Sequence, residues 1–388
     1  MKPRRRVLVI ARHFWPATTD DTLRLWQWIC RLQDSGAQVT VATPRWNANW
    51  PRQIVCQGVR VQRIDYPPTQ MLRSGRYVRQ LTHWLSSVAE EFDAVYCDAV
   101  DLEATAVLAS ECNRHPLVVR MALPAPAASA MVGSRHRTRE ISSKVLAVCR
   151  SASGVIVGDA RTHQQLLTAG LDQSLIVRAP APSGARYDRT PEARRRARQM
   201  LSEANHDLFA RAQDRVVVCP GELNLQWNVV ALIEELAPLI EEQRSLRVWI
   251  LGDGRARAKV YDALQREGLH RLVTMPGLFT DLEEVLQAAD LCVFPAPGLG
   301  LGWLIPTCIA SGISLLVSDS PGARQQLEPH ASELLYSSDQ PRALRTRVSQ
   351  WLTSPTIFSD SLQRARLQQR TASGADFEAL FPFLEASA

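Results

Sequence analysis

Glycine-rich loops follow three apolar runs in the second half of the chain, and their composition suits the binding of an anion. Glycine lets a backbone approach a ligand closely, and the first N–H groups of a following helix lack intrahelical partners and attract negative charge. The sequence therefore indicates a phosphate or similar anion site at the ends of these runs. The glycines concerned are Gly221, Gly252, Gly254, Gly300 and Gly302.

Basic residues beside these glycines offer the matching positive charge. Arg255 and Arg257 follow the second glycine pair, and Arg324 follows Pro321-Gly322. A guanidinium forms charge-assisted hydrogen bonds with phosphate oxygens. For each arginine two interpretations stay open: a cation for a bound anion, or an ordinary solvent-facing side chain on a helix, which is the commoner role.

The glycines around position 300 lie in a stretch from Leu291 to Val317 that contains no charged residue. Its length suits a membrane span, but three prolines and the glycines Gly298, Gly300 and Gly302 interrupt it, and a spanning helix would lose backbone hydrogen bonds there. The better interpretation is a buried strand, a glycine-rich loop, a short buried helix ended by Gly312, and a second buried strand. Such a strand-loop-helix arrangement is typical of a ligand loop in an α/β sheet.

The bulk properties are those of a globular protein with more than one domain. The chain has 388 residues, a net charge of +6 and a pI near 9.0. The positive charge allows an anionic small molecule, an anionic membrane surface or nucleic acid as a partner, but no basic motif interleaved with aromatic residues supports nucleic acid. The apolar run after the first arginines is too short for a secretory signal, so we expect a cytoplasmic protein.

The cysteines and the metal-ligating residues predict neither disulfides nor a metal site. None of the eight cysteines forms a CxxC pair or a cluster with histidine at metal-binding spacing. Most lie in apolar segments, where a thiol behaves as a small hydrophobic side chain. We therefore expect core cysteines, no metal and no cofactor.

The elements that would position the glycine loops alternate between strand and helix patterns. Val7 to Ala11 predicts a strand, and Leu25, Ile29 and Leu32 predict one face of a helix that Asp20 or Asp21 can cap. Parallel sheets with helices on both faces follow from this alternation. Further strands are predicted at 39–43, 59–64, 94–96, 117–120, 155–157, 216–219, 246–251, 272–275, 291–294, 313–317 and 334–336.

A Pro- and Gly-rich segment after Ala179 separates the two halves, and an arginine-rich helix follows it. We interpret those arginines as a solvated helix face. The predicted organisation is a first doubly wound domain at 1–185, a linker and polar helix at 186–212, a second doubly wound domain at 213–365 and a last segment at 366–388. Two such domains place a ligand cleft between the carboxyl ends of their strands.

An ordered set of short phrases in both halves resembles the family 4 (group 1) glycosyltransferases over nearly the whole chain. The resemblance implies the two-domain GT-B fold, a nucleotide-sugar donor on the second domain and an acceptor, such as a glycan or a lipid-linked molecule, on the first. It also implies a last helix, near 377–384, that crosses back to the first domain. The phrases are Phe14-Trp15-Pro16, Phe92-Asp93-Ala94-Val95, Leu251-Gly252-Asp253-Gly254, Pro276-Gly277-Leu278-Phe279, Ala288-Ala289-Asp290 and Ala310-Ser311-Gly312.

The resemblance also marks where the donor site departs from the family. Two glutamates of the family's donor motif fall on Leu299 and Thr307, and its aromatic position falls on Leu301. An arginine and a lysine that hold the diphosphate fall on Glu222 and Trp227. Leucine accepts no hydrogen bond, and a carboxylate facing a diphosphate repels it, so the usual donor pose is disfavoured.

The first half also lacks residues that the family usually has in its cleft. The histidine that usually follows the strand at 118–121 is Ala122 here, and the usual glycine-rich loop after Pro16 is Ala17-Thr18-Thr19-Asp20-Asp21. Asp98 and Asp101 are the nearest polar candidates for catalysis. Surface aspartates that cap a helix are the commoner explanation of both.

Three functions stay open on the sequence. The first is a pseudo-glycosyltransferase, a GT-B scaffold that lacks donor chemistry and acts as a binding or regulatory partner of a protein or a membrane. The second is an active retaining glycosyltransferase with a rewired donor site. The third is an electrostatic binder of a membrane or polyanion, which rests only on the net charge of +6. A location at the inner face of the membrane is compatible with each of them.

Overall fold

The computed structural model describes most of the chain. The described ranges are 5–16, 20–68, 71–98, 102–121, 143–158, 160–178, 185–221, 223, 227–279, 281–298, 300–327 and 331–372. Within them, helices and strands alternate and build two sheets.

The first sheet has eight strands in the order β3-β4-β2-β1-β5-β6-β7-β8. All neighbouring pairs are parallel except the edge strand β3, which runs antiparallel to β4. The central strands are fully buried, as expected for a sheet with helices on both faces. The strands are β1 (Arg6–Ile10), β2 (Gln38–Pro44), β3 (Gln53–Cys56), β4 (Val59–Ile64), β5 (Ala94–Cys97), β6 (Leu117–Met121), β7 (Gly154–Val157) and β8 (Ile176–Arg178).

The helices beside the first sheet bury one apolar face each. In α1, Leu25, Ile29 and Leu32 are buried at the spacing of one helix face and pack with β1 and β2. The described helices of this half are α1 (Asp20–Asp34), α2 (Met71–Val88), α3 (Leu102–Leu108), α4 (Ser143–Ser151) and α5 (Ala160–Thr168).

The second sheet has six parallel strands in the order β11-β10-β9-β12-β13-β14. Its strands are β9 (Arg215–Cys219), β10 (Leu246–Leu251), β11 (Val273–Gly277), β12 (Leu291–Phe294), β13 (Ser314–Ser318) and β14 (Leu335–Tyr336). The helices around it are α7 (Val229–Glu242), α8 (Arg257–Arg266), α9 (Glu283–Ala288), α10 (Leu304–Ser311), α11 (Pro321–Leu327), α12 (Ala343–Thr353) and α13 (Pro355–Ala372).

The arginine-rich helix α6 (Pro191–Ala204) packs on the second sheet, and the prediction of a solvated face is wrong for its inner arginines. Arg198 is only 5% exposed and donates to Asp290 at 2.7 Å. Arg194 donates to the other carboxylate oxygen of Asp290 at 2.5 Å. A buried carboxylate before β12 therefore ties the helix that follows the linker to the second sheet.

The strands and the α/β class predicted from the sequence are confirmed within one or two residues at most ends. The sequence missed the short edge strands β3 and β8 and the last two helices. The domain boundaries stay a prediction. Residues 366–372 continue α13, whereas the helix expected at 377–384 lies outside the described residues.

None of the eight cysteines is in a disulfide, and six of them are buried, as expected for core thiols. Burial raises the pKa of Cys149 to about 11, which disfavours its thiolate at neutral pH. Among the helices that the structure describes, none is long and apolar enough to cross a membrane.

Candidate functional site

The glycine loops of the second half come together where the strands of the second sheet end. The backbone N–H of Leu223 donates to the carbonyl of Asp253 at 3.0 Å, and the N–H of Ala256 donates to the carbonyl of Leu223 at 2.8 Å. Gly252 donates to the carbonyl of Gly277 at 2.8 Å. We call the loops after β9, β10, β11, β12 and β13 the second-sheet edge.

Trp227 covers the first of these loops. Gly221 has a φ of +156°, and a Cβ added to it would lie 1.6 Å from Cζ3 of Trp227. The indole ring therefore lies directly against the backbone of Gly221, in space that only glycine leaves open. Trp227 is half-buried and packs on the core of the second sheet. At the position where the resemblance implies a lysine, the chain places an apolar ring.

Apolar contacts also cover the glycines that follow β12 and β13. A Cβ on Gly300 would lie 2.5 Å from the ring of Phe294, and a Cβ on Gly322 would lie 2.6 Å from Cδ1 of Leu301. Gln326 holds this loop by donating to the carbonyl of Leu301 at 2.8 Å. Apolar side chains of the second-sheet edge thus also fill the space beside Gly300 and Gly322.

Gly302, the last glycine of the loop after β12, is in contact with Asp20 from the first half of the chain. The carboxylate of Asp20 accepts hydrogen bonds from the backbone N–H groups of Gly302, Trp303 and Leu304 at 2.5, 2.9 and 2.9 Å. These groups precede and begin α10. Asp20 is the first residue of α1, and the sequence did not predict that its carboxylate binds the amino terminus of a helix in the other half.

The residues at the family's glutamate and arginine positions are placed only in part. Thr307 lies in α10, is 0% exposed, and within the described part of the chain its Oγ1 has no hydrogen-bond partner. Glu222 and Leu299 lie outside the described residues. Leu278 follows β11 and is 58% exposed.

The three arginines proposed as compensating cations have different surroundings. Arg257 pairs with Asp253 at 3.8 Å and donates to the carbonyl of Met275. Arg324 binds Asp319 through two nitrogens, one of them at 2.6 Å. Arg255 is exposed, and no hydrogen bond or ion pair of its side chain is found among the described residues.

On the facing side, the carboxyl ends of β5 and β6 carry a buried network of charges. Asp98 is 7% exposed and accepts from Nη2 of Arg24 at 2.7 Å and from Nε of Arg120 at 3.1 Å. The hydroxyl of Tyr96 donates to the same carboxylate at 3.0 Å. Arg120 also binds Asp21 at 3.2 Å. We call these residues, together with Asp20, the first-sheet edge.

This network shifts the pKa values of Asp98 and Tyr96. Burial alone would raise the pKa of Asp98, but the charges of Arg120 and Arg24 outweigh it and lower that pKa below its usual value. Burial and the charge of Asp98 raise the pKa of Tyr96. Asp98 is therefore ionised at neutral pH and has its acceptor sites engaged, which makes it a poor general base.

The structure corrects the explanation of Asp98 as a surface helix cap. It lies buried between two arginines, one on α1 and one on β6. A sign of this network was visible in the sequence, because Arg120 is the next-to-last residue of one apolar strand and Asp98 directly follows another. The other two candidates of this half, Asp101 and Ala122, lie outside the described residues.

A cavity lined by other parts of the chain lies away from the glycine loops. It has a volume of about 410 Å³ and is lined by residues of the linker, the end of α10 and α13. None of the glycine loops contributes to it. No group of three or more His, Cys, Asp or Glu side chains placed to hold a metal ion occurs in the described ranges.

Comparison with known proteins explains this arrangement of two sheets and glycine loops. Residues 214–354, which cover the second sheet, match the family described as glycosyl transferases group 1. EpsD of Bacillus subtilis (strain 168), which carries the name of a glycosyltransferase, is 28% identical over 156 residues, and this match spans 40% of the chain and 41% of EpsD. The chain resembles the group 1 glycosyltransferases.

Solved structures extend the likeness to both sheets. The sucrose-phosphate synthase from Thermosynechococcus elongatus has a TM-score of 0.72 and 16% identity, over 99% of this chain and 100% of that one. Anabaena Alr3699/HepE, solved in complex with UDP and glucose, has a TM-score of 0.69 and 16% identity, over 98% and 99%. At such identity the likeness shows the fold, and the chain has the GT-B fold that the resemblance implied.

Proposed function

We propose that this group 1 glycosyltransferase relative has lost the standard donor chemistry and acts as a binding or regulatory partner. The observation that carries the proposal is the indole ring of Trp227 lying on the backbone of Gly221, at the lysine position implied by the resemblance. An aromatic ring there supplies no charge to a diphosphate and fills the space above the glycine.

Other contacts support the same proposal. The amides at the amino terminus of α10 are engaged by Asp20, and Arg257 and Arg324 are paired with acidic side chains. Losing a charge-assisted hydrogen bond to a ligand costs about 1.5 to 3 kcal/mol, so losing two costs a factor of about 100 or more in affinity. Weak or absent binding of nucleotide sugars follows.

The second candidate is an active retaining glycosyltransferase with a rewired donor site. Alr3699/HepE was solved with UDP-glucose, and its likeness in fold makes a nucleotide-sugar donor the natural substrate class for an active protein. In that case Arg255, which is exposed beside the glycine turn, is the cation best placed to replace the missing lysine. The acceptor would then be a glycan or a lipid-linked molecule held by the first half.

Calorimetric titration with UDP-, GDP- and ADP-sugars distinguishes the two candidates. The proposal expects dissociation constants above about 1 mM for each of them. A sub-millimolar dissociation constant for any one, together with transfer or hydrolysis of its sugar, would establish the active enzyme instead. We further propose a cytoplasmic protein, with the net charge of +6 available for an acidic partner or the inner membrane face.

A further inference from the structure

One face of α1 docks on the second half of the chain at the first turn of the helix. Asp20, Leu23 and Arg24 share this face at the i, i+3 and i+4 spacing. Leu23 packs against the apolar core of the second sheet, and Cδ of Arg24 would lie 3.6 Å from a Cβ on Gly302. The contact between the two halves at this place is therefore built from a carboxylate, an apolar side chain and an arginine stem.

The carboxylate of Asp20 is the polar centre of this contact. The first N–H groups of an α-helix have no partner within the helix, and they carry the positive end of its dipole. At the start of α10 these groups all point to one carboxylate, which accepts from the amides of Gly302, Trp303 and Leu304. The helix amino terminus is thus satisfied by an anion that the chain supplies from its other half.

Gly302 makes the close approach possible. A Cβ at this residue would lie 2.6 Å from Oδ2 of Asp20, too close for any real contact. Gly302 does not have a left-handed backbone conformation. The contact therefore requires glycine because it has no side chain, and not because of its backbone conformation. The fit between Gly302 and the carboxylate of Asp20 therefore requires the contact between the two halves.

We propose that Asp20 is an intramolecular latch, whose carboxylate on the amino terminus of α10 holds the two halves of the GT-B fold closed. While the latch is engaged, the three amides are saturated and are not available to an anion that enters the cleft. The contacts that support the latch are those of the protein without a ligand. The proposal therefore does not depend on whether the cleft retains transferase chemistry.

Hydrogen exchange in the full-length protein tests the latch with variants of both of its partners, Asp20 and Gly302. The Asp20→Asn variant keeps the size of the side chain but loses its charge and one acceptor oxygen, so exchange of the amides at 302–304 should rise about tenfold or more. Gly302→Ala should do the same, because the added methyl group displaces the carboxylate. Asp21→Asn is the matched control: it removes the same charge one residue later and should leave these amides protected.

Small-angle scattering of the same four proteins supplies the second readout. Asp20→Asn and Gly302→Ala should increase the radius of gyration, whereas Asp21→Asn should not. Exchange within β1 and β12 reports whether each variant is folded, and if Asp20→Asn is not, Gly302→Ala decides. Unchanged protection at 302–304, or unchanged scattering in a folded latch variant, overturns the proposal.

Discussion

The two edges that face each other across the cleft use opposite means to remain stable without a ligand. The first-sheet edge buries charges and neutralises them with one another, as Arg24 and Arg120 do with Asp98. The second-sheet edge covers its glycines with apolar side chains, as Trp227 does at Gly221 and Leu301 does at Gly322. Asp20 joins the two edges.

The difference between the edges shows which interactions a ligand would have to replace. On the first-sheet edge it would compete with hydrogen-bonded ion pairs, which are costly to break when they are buried. On the second-sheet edge it would have to displace packed rings and methyl groups, and it would meet few unpaired cations. A scaffold can therefore keep the GT-B fold while the residues on each side of its cleft bind mainly other residues of the same side.

The largest effect on stability is expected where the first-sheet edge loses its shared carboxylate. Asp98→Asn removes the buried carboxylate that Arg24 and Arg120 share and leaves them only the exposed Asp21 as a charge partner, so it should lower the free energy of unfolding by about 3 to 5 kcal/mol. Urea denaturation measures this cost. The control is Glu192→Gln, which breaks an exposed pair with Arg195 and should cost below about 1 kcal/mol. Equal costs for the two variants would contradict the buried network.

A pH effect of intermediate size is expected where the two edges meet. Desolvation raises the pKa of Asp20 from 3.8 to about 6. The charge of Asp21 also raises this pKa, whereas the hydrogen bond from the amide of Leu304 lowers it. Between pH 3.8 and about 6, Asp20 is protonated in the folded protein but ionised in the unfolded chain. The stability of the folded protein therefore falls as the pH rises through this range. Arg24 and Cys308 also lie near this carboxylate, and neither titrates in that range.

The pH effect is measured as the difference in unfolding free energy between the wild type and Asp20→Asn. On going from pH 4 to pH 7 the wild type should lose up to about 3 kcal/mol relative to the variant. The titration of Asp98 is common to both proteins and cancels. Parallel stability profiles over this range would show that Asp20 is not buried against α10 in solution.

A smaller gain of function is expected when the ring over Gly221 is replaced by a cation. Trp227→Lys combined with Asp20→Asn uncovers the glycine, frees the amides of α10 and adds one charge for a diphosphate. Calorimetry should detect UDP binding that is about tenfold tighter than in the wild type. Trp227→Phe in the same background keeps an aromatic cover and serves as the control. If both double variants bind UDP equally, the ring does not block the site.

The smallest effect is expected at the exposed cation beside the glycine turn. Arg255→Ala should change the free energy of unfolding by less than about 0.5 kcal/mol, because its side chain is exposed. It should also leave nucleotide-sugar titrations unchanged. A clear loss of donor binding or transfer in this variant would favour the active enzyme with a rewired site.

The sequence was sufficient for the fold because strand patterns such as Val216 to Cys219 are local. It also located the candidate site, since glycines after strands mark where a backbone is approached closely. It did not reveal that Asp20 binds α10, because a contact between residues so far apart in sequence has no local pattern. For the same reason the partners of Asp98 were missed, although each charge next to an apolar strand was visible.

Hydrogen exchange at residues 302–304 of the wild type tests most directly whether the protein's own side chains occupy the cleft. Without ligand, the first amides of α10 should be protected by Asp20, and about 5 mM UDP should leave their exchange unchanged. Fast exchange in the free protein that becomes slow when UDP is added would contradict the account, because it would show an open site that a nucleotide fills.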